Sequence, residues 1–414
     1  LRMLVRFVDR EELEASVRLT RPNRAEINLD YMDLNVREIN SHLDKYYSSP
    51  SLLPIIKADA YGHGALVMTA HMFSNSCDYR NTIAGVSVAT LEEAIVLRKQ
   101  LKQLGVSCPL IHLLGMLPMG AESIAMEYDI VPSIGNFASL QRCIEQGKIS
   151  GNPMKIHIKL DSGMHRTGFL YHELEELMCI LKESIGSNYI NLDGIYTHLA
   201  QSEVTHKEYS MLQLGEFERM LKVFKDNEVS ANYIHCMNSG GCIDFPLFLK
   251  EYEYLKDMNL FRYGIMFYGF YPSDEVQRSF VQLKSVMKWE TVIEKVKILE
   301  ENDIAEFGGF IAKERTTIAE IPVGYADGYR RVLSEKDGKQ GYHVEILGKL
   351  CPILGNVDMD ITTIDISCFE SIPKIGTSVS LIEEDNRGLE SPVHCDVISE
   401  WYYWEMPTCI GERV

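Results

Sequence analysis

The sequence predicts an α/β protein: an N-terminal (β/α)8 TIM-like barrel followed by a C-terminal, mostly-β domain. Three observations carry this. The chain has 414 residues, more than one typical domain holds. Short apolar runs alternate with amphipathic helical segments from Arg21 to about Lys284. Beyond Ser285 helical periodicity gives way to stretches rich in Val, Ile and Thr.

Residues 1–21 read as a lead-in segment, 22–284 as the barrel and 285–414 as the β domain. Within the barrel, LDYMDLNVREINSHL, TLEEAIVLRKQL, FASLQRCIEQ, HELEELMCILKES and LQLGEFERMLKVFKDN place apolar residues three or four apart, the helical spacing. Between them LLPII, TIAGVSV, PLIHLL, MKIHIKL, INLDGIYTHL and ANYIHCM read as strands. Repeated βα units imply a parallel sheet, whose chemistry gathers at the strand C-terminal ends. In the β domain KWETVIEKVKIL, TTIAEIPVGY, YHVEILGKLCPILGNVDMDITTIDI and SVSLIEE supply the strands.

Composition narrows the function classes. A hydrophobic content of 46% against 24% charged is that of a globular protein with a sizeable core. The net charge of −18 argues against a nucleic-acid partner, because phosphate backbones need basic surfaces. The 10 cysteines are scattered without a Cys-x-x-Cys pair, which predicts reduced thiols, a cytoplasmic setting and no metal site. No apolar run approaches a membrane span. The start at Leu1 leaves room for an upstream segment, a membrane anchor included.

Particular residues then suggest chemistry. LLPIIKADAYGHGA drives an apolar strand into Lys57 and stops it with Gly62 and Gly64. A lysine there either lays its stem on the sheet with its head in solvent or is desolvated. In the second case its lowered pKa makes it a nucleophile able to form a Schiff base with an aldehyde cofactor. The glycines let backbone approach a ligand, and Tyr61 adds a hydroxyl. In MKIHIKLDSGMHRTGF, Met154, Ile156, Ile158 and Leu160 alternate with Lys155, His157, Lys159 and Asp161. Arg166 follows, where a guanidinium could grip a carboxylate or a phenolate. The run YIHCMNSGG ends in Ser239 and two glycines, a turn or a phosphate site. Arg262 with Gly264 and Ile265, His198 in YTHLA, and Tyr325 in IPVGYADGYRR complete the set.

In this order the motifs PIIKADAYGHGA, IKLDSGMHRTGF, YTHLA, HCMNSGG, FRYGIMFYG, IPVGYADGYRR and GNVDMD resemble the alanine racemase family, over residues 22–414. The resemblance implies pyridoxal 5′-phosphate as cofactor, an amino acid as substrate, and a head-to-tail homodimer with shared active sites. It also implies that the strand in RAEINLD packs with the β domain.

Residue by residue, Lys57 matches the cofactor-bearing lysine, which is also the base on one face of the substrate. Tyr325 matches the opposing base, given by the other subunit. Phenols ordinarily titrate near pH 10 and need help near neutrality, which the match of His198 suggests. Arg262 matches the arginine facing the cofactor ring nitrogen, and Arg166 the one contacting the phenolic oxygen and substrate. Tyr61, Asn238, Ser239, Gly264 and Ile265 match cofactor contacts, and Met359 a partner residue meeting the substrate carboxylate. Lys159 matches a lysine that many members carbamylate.

Departures gather at the substrate gate. Asn356 stands where an arginine is frequent, Asp358 where a small residue or Cys is usual, Glu203 for an Asp, and Glu412 for a tyrosine. They open an alternative: a serine or broad-specificity racemase of the vancomycin-resistance type, since an apolar pocket rejects an added hydroxyl weakly. A non-catalytic cofactor-binding barrel is disfavoured by the β domain and Tyr325. A decarboxylase is disfavoured by Arg262.

Overall fold

The computed structural model describes residues 22–74, 77–249, 252–305, 309–334, 342–382 and 409–410. The lead-in segment and Glu412 lie outside these residues. The chain forms two compact units, one spanning Leu29–Lys284 and the other joining the chain up to Asn28 with Ser285 onward.

In the first unit α1 (Leu29–Leu43) buries Met32, Val36, Ile39 and Leu43, the four-residue stripe that its sequence spells. The parallel strands are β2 (Ser51–Pro54), β3 (Val86–Val88), β4 (Ile111–Met116), β5 (Ile130–Ile134), β6 (Met154–Lys159), β7 (Ile190–Tyr196), β8 (Tyr233–His235) and β9 (Leu260–Tyr263). β3 to β8 make a six-stranded sheet in chain order, and β2 pairs with β9. Bridges from Leu52 to Ile83 and from Ile55 to Ser87 join β2 to the β3 edge. On the other side the Asn259 amide donates to the Ile234 carbonyl at 3.2 Å. The strands thus curl into a barrel.

Helices follow the strands: α2 (Ala65–Met72), α3 (Leu91–Gln103), α4 (Glu122–Glu127), α5 (Phe137–Ser150), α6 (Leu174–Gly186), α7 (Glu208–Asp226) and α8 (Ser239–Asp244). Local chemistry sets their starts. Thr90 and Glu93 form a reciprocal capping box on α3, and the Asn136 side chain caps α5 by accepting from the Ser139 amide.

The second unit contains β1 (Arg24–Ile27), which a linear division at residue 22 places with the barrel. It instead pairs antiparallel with β10 (Met287–Val292), Ala25 facing Trp289. The remaining strands are β11 (Lys295–Leu299), β12 (Ile304–Ala305), β13 (Phe310–Ile311), β14 (Thr316–Ile321), β15 (His343–Ile346), β16 (Lys349–Pro352), β17 (Thr362–Asp365) and β18 (Ser378–Ile382). A five-stranded sheet β1-β10-β18-β15-β16 and a three-stranded sheet β11-β14-β17 share a core around Trp289, Tyr329, Val344 and Ile364. Pairing gives β1 a ladder, and Ala25 and Ile27 pack on that core. The Trp289 indole adds a bond to the Asn23 side chain at 2.6 Å.

Candidate active site

β2 delivers Lys57 just past its end, and the chain then does something unusual. Ala58, Asp59, Ala60 and Tyr61 all have φ between 50° and 56°, a left-handed turn without glycine. Such a turn costs about 1–2 kcal/mol per residue, so the surroundings must impose it. Two carboxylates do so. Glu93, at the start of α3, accepts from the Ala58 amide at 2.7 Å, and Asp59 accepts from the Ala65 amide at 2.7 Å. Gly62, at φ 80°, closes the turn. The result holds Lys57 half-buried with its amine 6.0 Å from the Tyr61 ring centre. Burial lowers the Lys57 pKa, the Arg166 charge lowers it further, and Glu93 partly opposes them.

The next two predicted residues come from β6 and the loop after it. β6 corrects the simple alternation: His157 is buried as fully as Ile156 and Ile158, and Lys159 is buried too, at 7% exposed. A parallel barrel strand has one face against helices and the other inside the barrel, so neither is wet. The Lys159 amine donates to the Thr167 hydroxyl at 2.7 Å. Its pKa falls to about 8 through burial first, then the Arg166 and Arg262 charges, with Asp161 opposing. Arg166 itself is exposed in the single chain.

Arg262 on β9 is buried, 2% exposed, and donates to the His235 ring, to the Thr197 carbonyl at 2.7 Å and to the Cys236 carbonyl at 3.3 Å. It also faces His198 Nδ1 at 3.3 Å. Because a guanidinium only donates, this contact favours a bare Nδ1, with the His198 proton on Nε2; the two Nη2 hydrogens are shared among His198 and the two carbonyls. Burial, then the charges of Arg262, Arg166, Lys159 and Lys57, hold His198 far below its ordinary pKa. His198 is therefore a neutral imidazole among cations at neutral pH.

Ser239, Gly264 and Tyr61 also come together. The Gly264 amide donates to the Ser239 hydroxyl at 3.0 Å. A Cβ on Gly264 would lie 2.9 Å from the Tyr61 hydroxyl, so a side chain here would push that hydroxyl from its place. Asn238 caps α8 by accepting from the Gly241 amide at 3.0 Å, and takes a hydrogen bond from the Ser202 hydroxyl at 2.5 Å. Glu203 follows Ser202, whose hydroxyl lies 3.2 Å from its carboxylate.

In the second unit Tyr325 and Met359 meet. The Tyr325 amide donates to the Asp358 carbonyl at 2.9 Å, and the Ala326 amide to the Met359 carbonyl at 3.0 Å. Gly324 makes this contact fit: a Cβ there would lie 2.3 Å from the Asp358 oxygen. Tyr325 is 41% exposed and Met359 51% exposed, so both side chains are available beyond their own unit. Asn356 is half-buried on the same loop.

Sequence reasoning missed Glu93, Thr167 and the histidines behind Arg262. For Glu93 a signal existed, the Thr-x-x-Glu spacing of a capping box. The others depend on which strands become neighbours. Away from the barrel mouth, Asp33, His71 and Cys77 come within metal-ligand reach of one another. Asp33 is occupied, since it meets His71 at 2.9 Å and accepts from the Tyr79 hydroxyl.

The described residues suit an anionic aldehyde cofactor. Cations from Lys57, Lys159, Arg166 and Arg262 act together on one imidazole. One of the amines is made nucleophilic, and the Ser239–Gly264–Tyr61 group leaves space that a side chain would fill. A parallel barrel with that site and an added β domain defines a pyridoxal 5′-phosphate enzyme of the barrel class.

The comparisons refine this. Residues 27–272 match the alanine racemase N-terminal domain and residues 286–414 the alanine racemase C-terminal domain. The chain is 31% identical over 396 residues to alanine racemase 1 of Clostridium acetobutylicum, covering 95% of this chain and 94% of that protein. It is 33% identical over 365 residues to alanine racemase 2 of Caldanaerobacter subterraneus, covering 88% and 86%. A solved structure of alanine racemase from Clostridium difficile in complex with cycloserine matches with TM-score 0.78 at 27% identity, covering 96% of this chain and 95% of that one. The chain belongs to the alanine racemase family, which depends on pyridoxal 5′-phosphate. Among the described residues no helix is long and apolar enough to cross a membrane.

Proposed function

We propose that the protein interconverts L- and D-alanine by moving the Cα proton between two bases on opposite faces of the substrate. The observation that carries this is the Lys57 amine: held past the end of β2 by an imposed turn, with its pKa lowered by burial and by Arg166. Lys57 would hold the cofactor's aldehyde carbon, Tyr61, Asn238, Ser239, Gly264 and Ile265 its phosphate end, Arg166 its phenolic oxygen, and Arg262 its ring nitrogen. The bound cofactor would acidify the Cα proton by drawing charge from Cα. Arg262, a donor that keeps its own proton, leaves the ring nitrogen unprotonated and limits that withdrawal, which favours racemisation over side reactions.

The Lys57 amine is the base on one face of Cα. Tyr325 of the partner subunit is the base on the other, in a homodimer whose sites are shared. Its exposure in the single chain supports that assignment. The neutral His198, with its proton on Nε2, offers a hydrogen bond that stabilises a phenolate. Met359, beside Tyr325 on the partner, binds the substrate carboxylate with Arg166. The product, D-alanine, would serve peptidoglycan synthesis in the cytoplasm. The free state of the described cysteines supports a reducing compartment.

A second reading, serine or mixed specificity, is favoured by Asp358. Its carbonyl is bonded to the Tyr325 amide, which places a carboxylate-bearing residue next to the proposed base. One experiment separates the two: racemisation of L-alanine and L-serine by the purified enzyme, compared as kcat/KM. A higher value for alanine is expected. A higher value for serine establishes the second reading, and no racemisation of either rejects both.

A further inference from the structure

Behind Arg262 a line of hydrogen bonds leads away from the site through the barrel interior. Arg262 Nη1 donates to His235 Nδ1. That nitrogen must accept, so the His235 proton lies on Nε2. His235 Nε2 faces His157 Nδ1 at 3.0 Å, which therefore accepts in turn. The His157 proton is left on Nε2, 3.2 Å from the Asp193 carboxylate. The Asn232 amide donates to the other Asp193 oxygen at 2.8 Å. Every step runs the same way, from guanidinium to carboxylate. Both histidines have no exposed surface, so bulk water does not take part.

The backbone is shaped to make this line. In the pairing of β6 with β7, Ile156 faces Leu192 but His157 faces Gly194. Asp193 is the extra residue of a bulge, a device that re-aims a side chain. Gly194 then gives the ring its room: a Cβ there would lie 2.5 Å from His157 Nδ1. Among the described residues the Arg262 side chain has no carboxylate as a hydrogen-bond partner; its partners there are His235, His198 and the Thr197 and Cys236 carbonyls.

We propose that Asp193, acting through His157 and His235, is the positioning counter-ion of Arg262 and holds its guanidinium for the cofactor ring nitrogen. This rests on the assignment of Arg262 to that nitrogen. Asp193 touches neither cofactor nor substrate. It orders the two tautomers so that His235 presents a bare nitrogen to Arg262. Asp193→Asn keeps the shape and removes the charge. An asparagine can also donate to His157, which permits the reversed line and ends with two donors facing each other at Arg262.

Two measurements test this, neither using turnover. Long-range ¹H–¹⁵N spectra of the purified, [¹⁵N]histidine-labelled protein read the tautomers, with His157→Gln and His235→Gln giving assignments. Both histidines should be neutral with the proton on Nε2, and a proton on Nδ1 of either overturns the proposal. The second is the Kd of pyridoxal 5′-phosphate for the cofactor-stripped protein. Asp193→Asn should weaken it about tenfold, the scale of one lost charge-assisted hydrogen bond, and less than about twofold when Arg262→Lys is already present. An equal loss in both backgrounds means that Asp193 acts independently of Arg262, and refutes it. If the tautomers hold while the enzyme racemises no amino acid, the proposed activity falls and the line stands.

Discussion

Lys159 gives the most exposed prediction. Burial and the two arginine charges bring its pKa from 10.5 to about 8. Each pKa unit is a factor of ten in proton occupancy, so at neutral pH the uncharged amine is roughly 300-fold more abundant than in a free lysine. Only that form adds to carbon dioxide, giving a carbamate and releasing one proton. The product would place a negative charge where a third cation now sits near Arg166 and Arg262, relieving the repulsion that lowers the pKa. The perturbation is exchange of the purified enzyme into ¹³C-bicarbonate at pH 8, read by ¹³C NMR. One carbamate resonance per chain is expected, absent in Lys159→Ala, with racemisation reduced in that variant. A well-folded enzyme showing no carbamate at saturating bicarbonate would refute the reasoning.

Two further outcomes follow from packing and burial. Gly324→Ala sets a Cβ 2.3 Å from the Asp358 carbonyl oxygen, against backbone that cannot swing aside. It should cost about 1–3 kcal/mol in urea unfolding and displace the Tyr325 turn, so that racemisation falls while cofactor absorbance is retained. His63, with no exposed route for its ring, has its pKa lowered from 6.5 to about 4 by burial, and His112, His157, His198 and His235 are lowered in the same direction. A depressed pKa means that the unfolded chain binds more protons. The stability from these groups is therefore present above about pH 6.5 and lost as pH falls toward the folded values. The urea midpoint should drop between pH 7 and 5; a flat midpoint contradicts neutral burial.

Much of the fold was legible because its signals are local. The apolar spacing of LDYMDLNVREINSHL marks the span that α1 occupies, and the loss of helical periodicity after Ser285 marks the β strands. What escaped depends on distant partners. Arg24–Ile27 lies next to α1 in sequence, and local pattern alone groups it with the barrel; only the family resemblance points to the β domain, where Met287–Val292 completes its ladder. KADAY holds one of the two carboxylates that impose its four left-handed residues, Asp59, but the other, Glu93, comes from far along the chain. His157 reads as one member of an alternation; only the neighbouring β7, with its bulge at Asp193, shows what its ring meets. Candidate site residues were visible as types at strand ends, whereas their protonation states needed the barrel to be closed.

The central claim is that two different groups handle the Cα proton, one for each enantiomer. Exchange of the Cα proton of L- and of D-alanine with D2O, measured on Tyr325→Phe, tests it most directly. The account predicts a large loss of exchange rate for one enantiomer and a much smaller loss for the other. Equal losses of exchange from both enantiomers would contradict it.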